Sequence, residues 1–220
     1  MGYFRIVFLM MFAFLWVLPG QVFAGKITGT VVVKGLRSPE DVLVYVSNAP
    51  SGSKDLSQVE FVMDQRNLAF IPHVLPVLVG SRVHFPNNDK VNHNVFSLSQ
   101  AKQFNLGSYK TGESKTVLFD KPGIIEMRCD VHAEMAAYII VLKNPYWAVT
   151  DSQGRFEIPD SESLSRHGLK GVKELPPGKV LLKTWHEKLK NGKMTVEIPA
   201  DGKVELKLDL SRGIPGVLYK

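Results

Sequence analysis

The chain has 220 residues, a formal net charge of +6, 45% hydrophobic residues and a single cysteine. One thiol closes no internal bridge, so a disulfide-stapled scaffold is excluded. The charge is spread, with lysines alternating with Glu and Asp and no long basic run, which argues against a nucleic-acid partner and for a mild preference for acidic protein partners.

In chain order the first element is a targeting segment. Arg5 precedes an apolar run from Ile6 to Leu18, Pro19-Gly20 breaks it, and Val22 and Ala24 place small residues at the minus-three and minus-one positions of a cleavage site. This is the pattern of a secretory signal peptide over residues 1–24, cut after Ala24. The run falls short of the ~18 residues of a spanning helix, and no second apolar run of that length follows. The mature chain is therefore expected to be exported to the periplasm and to have no integral membrane span.

Strands are expected almost everywhere after that. "GKITGTVVVKG" and "EDVLVYVS" alternate, the latter placing Val42, Val44 and Val46 on one face. "VEFVMD", "LPVLVGSRVHF", "KTVLFD", "GIIEMRC" and "AAYIIVLK" follow, punctuated by "PNND", "KTGES" and "DKPG". Beyond Lys143, "YWAVTDSQGRFEIP" reads as two strands about a Gly-containing turn, and "GKVLLKTWHEKL", "KMTVEIP" and "KVELKLDL" as three more, with "ADGK" as a hairpin turn before the last. Ser161 to Lys173 is a polar interruption, a loop or short helix. The reading is all-β: a larger sandwich over residues 25–143, a boundary near Asn144-Pro145, and a smaller sandwich over 144–220 whose core is expected to be packed by Tyr146, Trp147 and Trp185.

The only cysteine lies in "MRCDVHAEM", residues 127–135. In an exported chain a lone thiol is an intermolecular bridge, a free buried thiol, a nucleophile or a metal ligand, and a bound metal protects it by holding it as thiolate. Strand alternation puts Ile125, Met127 and Cys129 on one inward face. The chain then turns and re-enters a strand at Ala136, so Cys129, His132 and Met135 share one tight loop. A fourth donor is available in His93, at a strand start after the "PNND" turn. One thiolate, two imidazoles and a thioether suit a copper ion that changes between Cu(I) and Cu(II), with Met as a weak axial ligand. Zinc at the same residues is the alternative metal; a Cys-His nucleophile would need a cleft and an orienting partner that nothing in the sequence indicates.

With those residues in place the chain resembles the cupredoxins, and its short ligand loop is similar to that of amicyanins. The resemblance covers roughly residues 26–143, including "VGSRVHFPNND", "HNVFS" and "FDKPGIIEMRCDVH". It implies a Greek-key sandwich, one copper per chain held by His93, Cys129, His132 and Met135, and an asparagine, Asn94, that ties the two ligand-bearing segments together. Arg128 and Ala133-Glu134 depart from residues common in that family and bear on the potential and the partner surface. "TDSQGRFEI" with "LPPGKVLLKTWHE" resembles the carboxypeptidase regulatory-like, transthyretin-like module, which implies a stability or docking unit without catalytic residues. Of the other histidines, His73 is expected to be structural, with a second site involving Met63 as the alternative; His84 should face outward.

The function these resemblances imply is a periplasmic type 1 copper protein carrying one electron between protein redox partners, such as a c-type cytochrome or a periplasmic dehydrogenase. It is expected not to be an enzyme, since the H-x-H pairs of multicopper oxidases are absent. A copper-holding or delivery protein, or a mononuclear copper site of non-blue geometry, is the alternative.

Overall fold

The computed structural model describes residues 25–50, 59–200 and 202–212. The expected signal peptide, residues 1–24, lies outside them. No helix among the described residues is long and apolar enough to cross a membrane.

The strands run β1 Lys26–Lys34, β2 Leu43–Val46, β3 Glu60–Val62, β4 Asp64–Arg66, β5 Ala69–Ile71 and β6 Val74–Leu78. They continue with β7 Ser81–Pro86, β8 His93–Ser99, β9 Lys102–Tyr109, β10 Ser114–Phe119, β11 Gly123–Arg128 and β12 Ala136–Leu142. After these come β13 Trp147–Val149, β14 Arg155–Ile158, the short helix α1 Ser161–Arg166, β15 Gly178–Trp185, β16 Lys193–Ile198 and β17 Lys203–Ser211. The molecule is all-β, as its alternating hydrophobic pattern predicts, and Asp160 caps the one helix among the described residues by accepting from the Ser163 N–H.

The larger sandwich pairs a three-stranded sheet, β10-β7-β3, with a five-stranded one, β6-β12-β11-β8-β9, and carries the small hairpin β4-β5. Its connections β6–β7, β7–β8, β9–β10 and β10–β11 all pass from one sheet to the other, in Greek-key fashion. The expected inward face of β11 is observed: Ile125 and Met127 are fully buried, while Ile124 is exposed.

The smaller sandwich departs from the expected division of the chain. Its two sheets are β14-β1-β17 and β13-β2-β15-β16, so β1 and β2, assigned from the sequence to residues 25–143, pair with strands that follow Asn144. β1 lies parallel to β17 over its whole length, Lys26↔Lys203 to Lys34↔Ser211, and antiparallel to β14; β2 sits between β13 and β15. Alternation identifies a strand and its faces but carries no information on which distant strand it pairs with. Two expected hairpins are also corners. The turn around Gly154 joins β13 and β14, and "ADGK" joins β16 and β17, and in each case the two strands lie in different sheets.

The sheet β13-β2-β15-β16 is covered on both faces. Val44, Val46, Ala148, Val180 and Leu182 point into the core of the smaller sandwich. Leu43, Trp147 and Trp185 point the other way and join the core of the larger one. The tryptophans thus seal the junction between the two sandwiches rather than fill the small core. The Trp185 ring meets that of Tyr138 on β12, with centroids 4.9 Å apart. Beyond α1, Leu169 joins the same shared core, and His167 stacks on Phe61 of β3 at 4.7 Å.

Candidate metal centre

Two segments of the larger sandwich meet at one end of its five-stranded sheet. β11 and β12 run antiparallel from Gly123↔Val141 to Arg128↔Ala136, and the seven residues between them, 129–135, form the loop predicted to bind metal. The loop is closed by its own backbone: the Met135 N–H donates to the His132 carbonyl at 3.0 Å, and the Cys129 N–H to the Met135 carbonyl at 3.4 Å. β8 brings the second segment, opening on His93 opposite Tyr109 of β9, with a register shift between Asn94 and Phe96. Such an irregularity re-aims the flanking side chains. Asn94 Oδ1 accepts from the Asp130 N–H at 3.4 Å and Asn94 Nδ2 donates to Asn105 Oδ1 at 2.8 Å, so this residue does connect the two segments.

These segments bring His93, Cys129 and His132 together, with all three candidate donor atoms within 4.8 Å of one another. The two Nδ1 atoms are 3.1 Å apart and Cys129 Sγ is 3.9 Å from His132 Nδ1. An ion about 2.0 Å from each imidazole nitrogen and about 2.3 Å from a thiolate, at trigonal to tetrahedral angles, needs nitrogens roughly 3.3–3.5 Å apart and sulfur roughly 3.5–3.7 Å from nitrogen. The observed N···N and S···N spacings each lie within about 0.2 Å of these ranges, so small side-chain adjustments would seat an ion. Met135, the fourth predicted ligand, is fully buried in the same apolar cluster as Cys129, and its backbone closes the loop.

The two histidines differ in setting. His93 is fully buried, whereas His132 is partly exposed between the exposed residues Val131 and Ala133. The ring of His93 is held from behind by a residue that sequence reasoning missed. Asp89 Oδ2 accepts from His93 Nε2 at 2.9 Å, which turns Nδ1 toward Cys129 and His132. A carboxylate on the far nitrogen fixes the tautomer and raises the basicity of a ligating imidazole. Asp89 is itself anchored: Oδ2 takes the Leu68 N–H at 2.7 Å and Oδ1 the Lys90 N–H at 2.7 Å. The Leu68 bond and then the His93 bond hold its carboxyl down at about 2. To deliver that N–H, the tip of the β4–β5 hairpin adopts left-handed backbone at Asn67 (φ 54°) and Leu68 (φ 58°), which is costly for leucine and lies one side chain, Asp89, away from His93. The sequence signal was present in "NNDKVNHN", a carboxylate four residues before the histidine, but it reads equally well as an ordinary turn.

The remaining histidines are apart from this group. His84 faces outward as expected, between buried Val83 and Phe85, and pairs with Thr116 Oγ1 at 2.9 Å. His73 is not joined to Met63, the partner considered for it; it bonds to Ala136 and Glu187.

No protein-family model matches the sequence, and no curated protein matches it. Solved structures do. The chain is similar to a purple cupredoxin from Nitrosopumilus maritimus at 22% identity, covering 37% of this chain and 98% of that one, with a TM-score of 0.34. It is similar to the reduced W45Y mutant of amicyanin at 20% identity, covering 44% of this chain and 97% of that one, with a TM-score of 0.36. It is also similar to the copper-containing nitrite reductase of Thermus scotoductus at 23% identity, over 50% of this chain and 28% of that one, with a TM-score of 0.37. These likenesses reach half of the chain at most.

Proposed function

We propose that this chain is a mononuclear copper protein of the type 1 kind, a one-electron carrier between protein partners outside the cytoplasm. The observation that carries the reading is the convergence of His93 Nδ1, His132 Nδ1 and Cys129 Sγ within 4.8 Å at a position the chain fixes from both strands. Copper bound there would supply a one-electron couple, and the thiolate and imidazoles suit both of its oxidation states.

The chain's own residues divide the work. Cys129 and Met135 bracket the loop and anchor its two ends in the core. Asp89 holds His93 rigid from the protein interior, which limits reorganisation. His132 alone reaches the surface, and the exposed Val131 and Ala133 beside it let a partner approach closely and exclude water. The net positive charge of the chain would steer an acidic partner in a salt-dependent way. Periplasmic location and partners such as a c-type cytochrome or a dehydrogenase complete the proposal.

Titration of the full chain with Cu(II), followed by visible absorption and voltammetry, tests it. One equivalent of copper should give an intense thiolate-to-copper band and a reversible couple. Cys129→Ser should abolish the band and leave the far-ultraviolet dichroism unchanged. A colourless one-to-one complex overturns the type 1 assignment, and a coloured complex without a reversible couple overturns the carrier role.

A further inference from the structure

The junction between the sandwiches holds a cluster that the metal centre does not use. His73 lies between β5 and β6 of the larger sandwich and grips the start of β12 twice. Its carbonyl accepts from the Tyr138 N–H at 2.8 Å, and its ring Nδ1 lies 3.2 Å from the Ala136 carbonyl. Its Nε2 lies 3.4 Å from Oε1 of Glu187, which follows β15 on the smaller sandwich. A carbonyl and a carboxylate both only accept, so for both bonds to form each ring nitrogen must carry a proton. His73 is then an imidazolium clamped between the two sandwiches.

Glu187 is well placed to hold it. Its side chain is 14% exposed, Lys188 Nζ lies 3.3 Å from Oε1 and His186 Nε2 lies 3.5 Å from Oε2, and Oε2 has no hydrogen-bond partner. The carboxylate borders a cleft of about 470 Å³ also lined by Asp41, Arg37 and Arg212. Ala136, the residue that His73 grips, directly follows Met135 and sits opposite Arg128, the neighbour of Cys129. A restraint on the Ala136 carbonyl therefore bears on both ends of the ligand loop.

We infer that Glu187 is a positioning residue for the metal centre, acting through His73 on the Ala136 end of the ligand loop, so that the smaller sandwich sets the geometry of a site it does not contain. The inference rests on the copper reading for its effect on the metal, but not for its effect on the loop. The acid–base properties of the pair agree with the geometry: the Glu187 bond raises His73 above its ordinary value, against the opposing effect of burial.

The test uses the full chain with Glu187→Gln, His73→Gln, the double variant, and Trp147→Phe as a junction substitution that leaves the bond intact. In metal-free protein, amide hydrogen exchange at Cys129 and Met135 should speed up by at most about fivefold in Glu187→Gln, the loss of one partly exposed ion pair, and stay unchanged in Trp147→Phe. The double variant should equal either single one, because the two residues act in series. In the copper-loaded chain both single variants should shift the absorption maximum and the reduction potential in the same direction. Unchanged exchange in both single variants, or additive effects in the double variant, overturns the inference. A wild-type chain without the thiolate-to-copper band removes the copper reading and the metal part of the inference, and the exchange data then decide whether the loop is positioned from the smaller sandwich.

Discussion

The larger sandwich is made from one continuous stretch, β3 to β12, while the smaller one takes β1 and β2 from the beginning of the chain and β13 to β17 from its end. The chain therefore starts the smaller sandwich, leaves to build the whole of the larger one, and returns to finish. The larger sandwich carries the converging donors; the smaller presents no comparable cluster of His, Cys, Asp and Glu among the described residues. What it contributes is a sheet with two apolar faces, one for its own core and one laid against its neighbour. The contrast teaches that the part carrying the candidate donors is topologically an insertion, and that its boundary surface depends on strands far away in sequence.

The sharpest way to break this comparison is to cut the chain. A fragment of residues 25–143 keeps all four candidate ligands but strips β1 of β14 and β17, and β2 of β13 and β15. It should aggregate or lose cooperative unfolding, and a fragment of residues 59–143, freed of the orphaned strands, should be the more soluble of the two. Cooperative melting of 25–143 with whole-chain copper binding would show that the two sandwiches separate at Asn144 after all.

Next in size is the shared face. Trp147 is 2% exposed, and Trp147→Ala should destabilise the chain by about 3–5 kcal/mol. Because the core it fills continues from one sandwich into the other, the loss should appear in a single denaturation transition. Two separated transitions by fluorescence and by copper absorbance would mean that the faces touch without cooperating.

The third probe concerns the larger sandwich alone. Asp89→Asn keeps an acceptor for the Leu68 N–H but removes the charge behind His93, and copper affinity should fall about 10–100-fold with the fold intact. A competitive chelator titration reads this directly, and unchanged affinity would show that Asp89 merely fills its turn.

What could be read in advance follows the same contrast. Cys129, His132 and the buried face of β11 were legible because strand alternation and a seven-residue loop are local properties. His93 was legible because its residue type and its turn narrow the choice. Asp89 was not singled out, since an aspartate in an Asn/Asp turn has an ordinary explanation without the metal. The parallel pairing of β1 with β17 had no local signature: it joins residues more than 170 positions apart, Lys26 with Lys203, and the alternation of either strand would serve several partners. The tryptophans were recognisable as buried, but which core they entered depended on that same pairing. Glu187 becomes visible only once the two sandwiches are placed together.

The smallest expected effect is the pH dependence of the junction. Glu187 sits at about 2, below its ordinary 4.5; burial alone would raise it, and the His73 bond and the charge of His186 overcome that. Its contribution to stability is thus present above pH 4.5 and is lost as pH falls toward 2. His73 is raised above 6.5, first by the Glu187 bond, so its contribution is present below 6.5 and is lost as pH rises through its folded value. The pair stabilises the fold most between about pH 4.5 and 6.5. His186 opposes part of this. Burial lowers it below 6.5, so the ring resists protonation in the folded state and the fold weakens on this account as pH drops. Asp41 at the same cleft is raised, mainly by burial, and acts in the acid range with the opposite sign to Glu187. Comparing wild type with Glu187→Gln at each pH isolates the pair from these neighbours. With the His73 side chain 35% exposed, the difference should be about 1 kcal/mol or less, a shift in Tm of roughly 2–4 °C, largest in that window and shrinking on both sides. A difference that grows steadily toward alkaline pH would show that His73 is not the partner through which Glu187 holds the two sandwiches together.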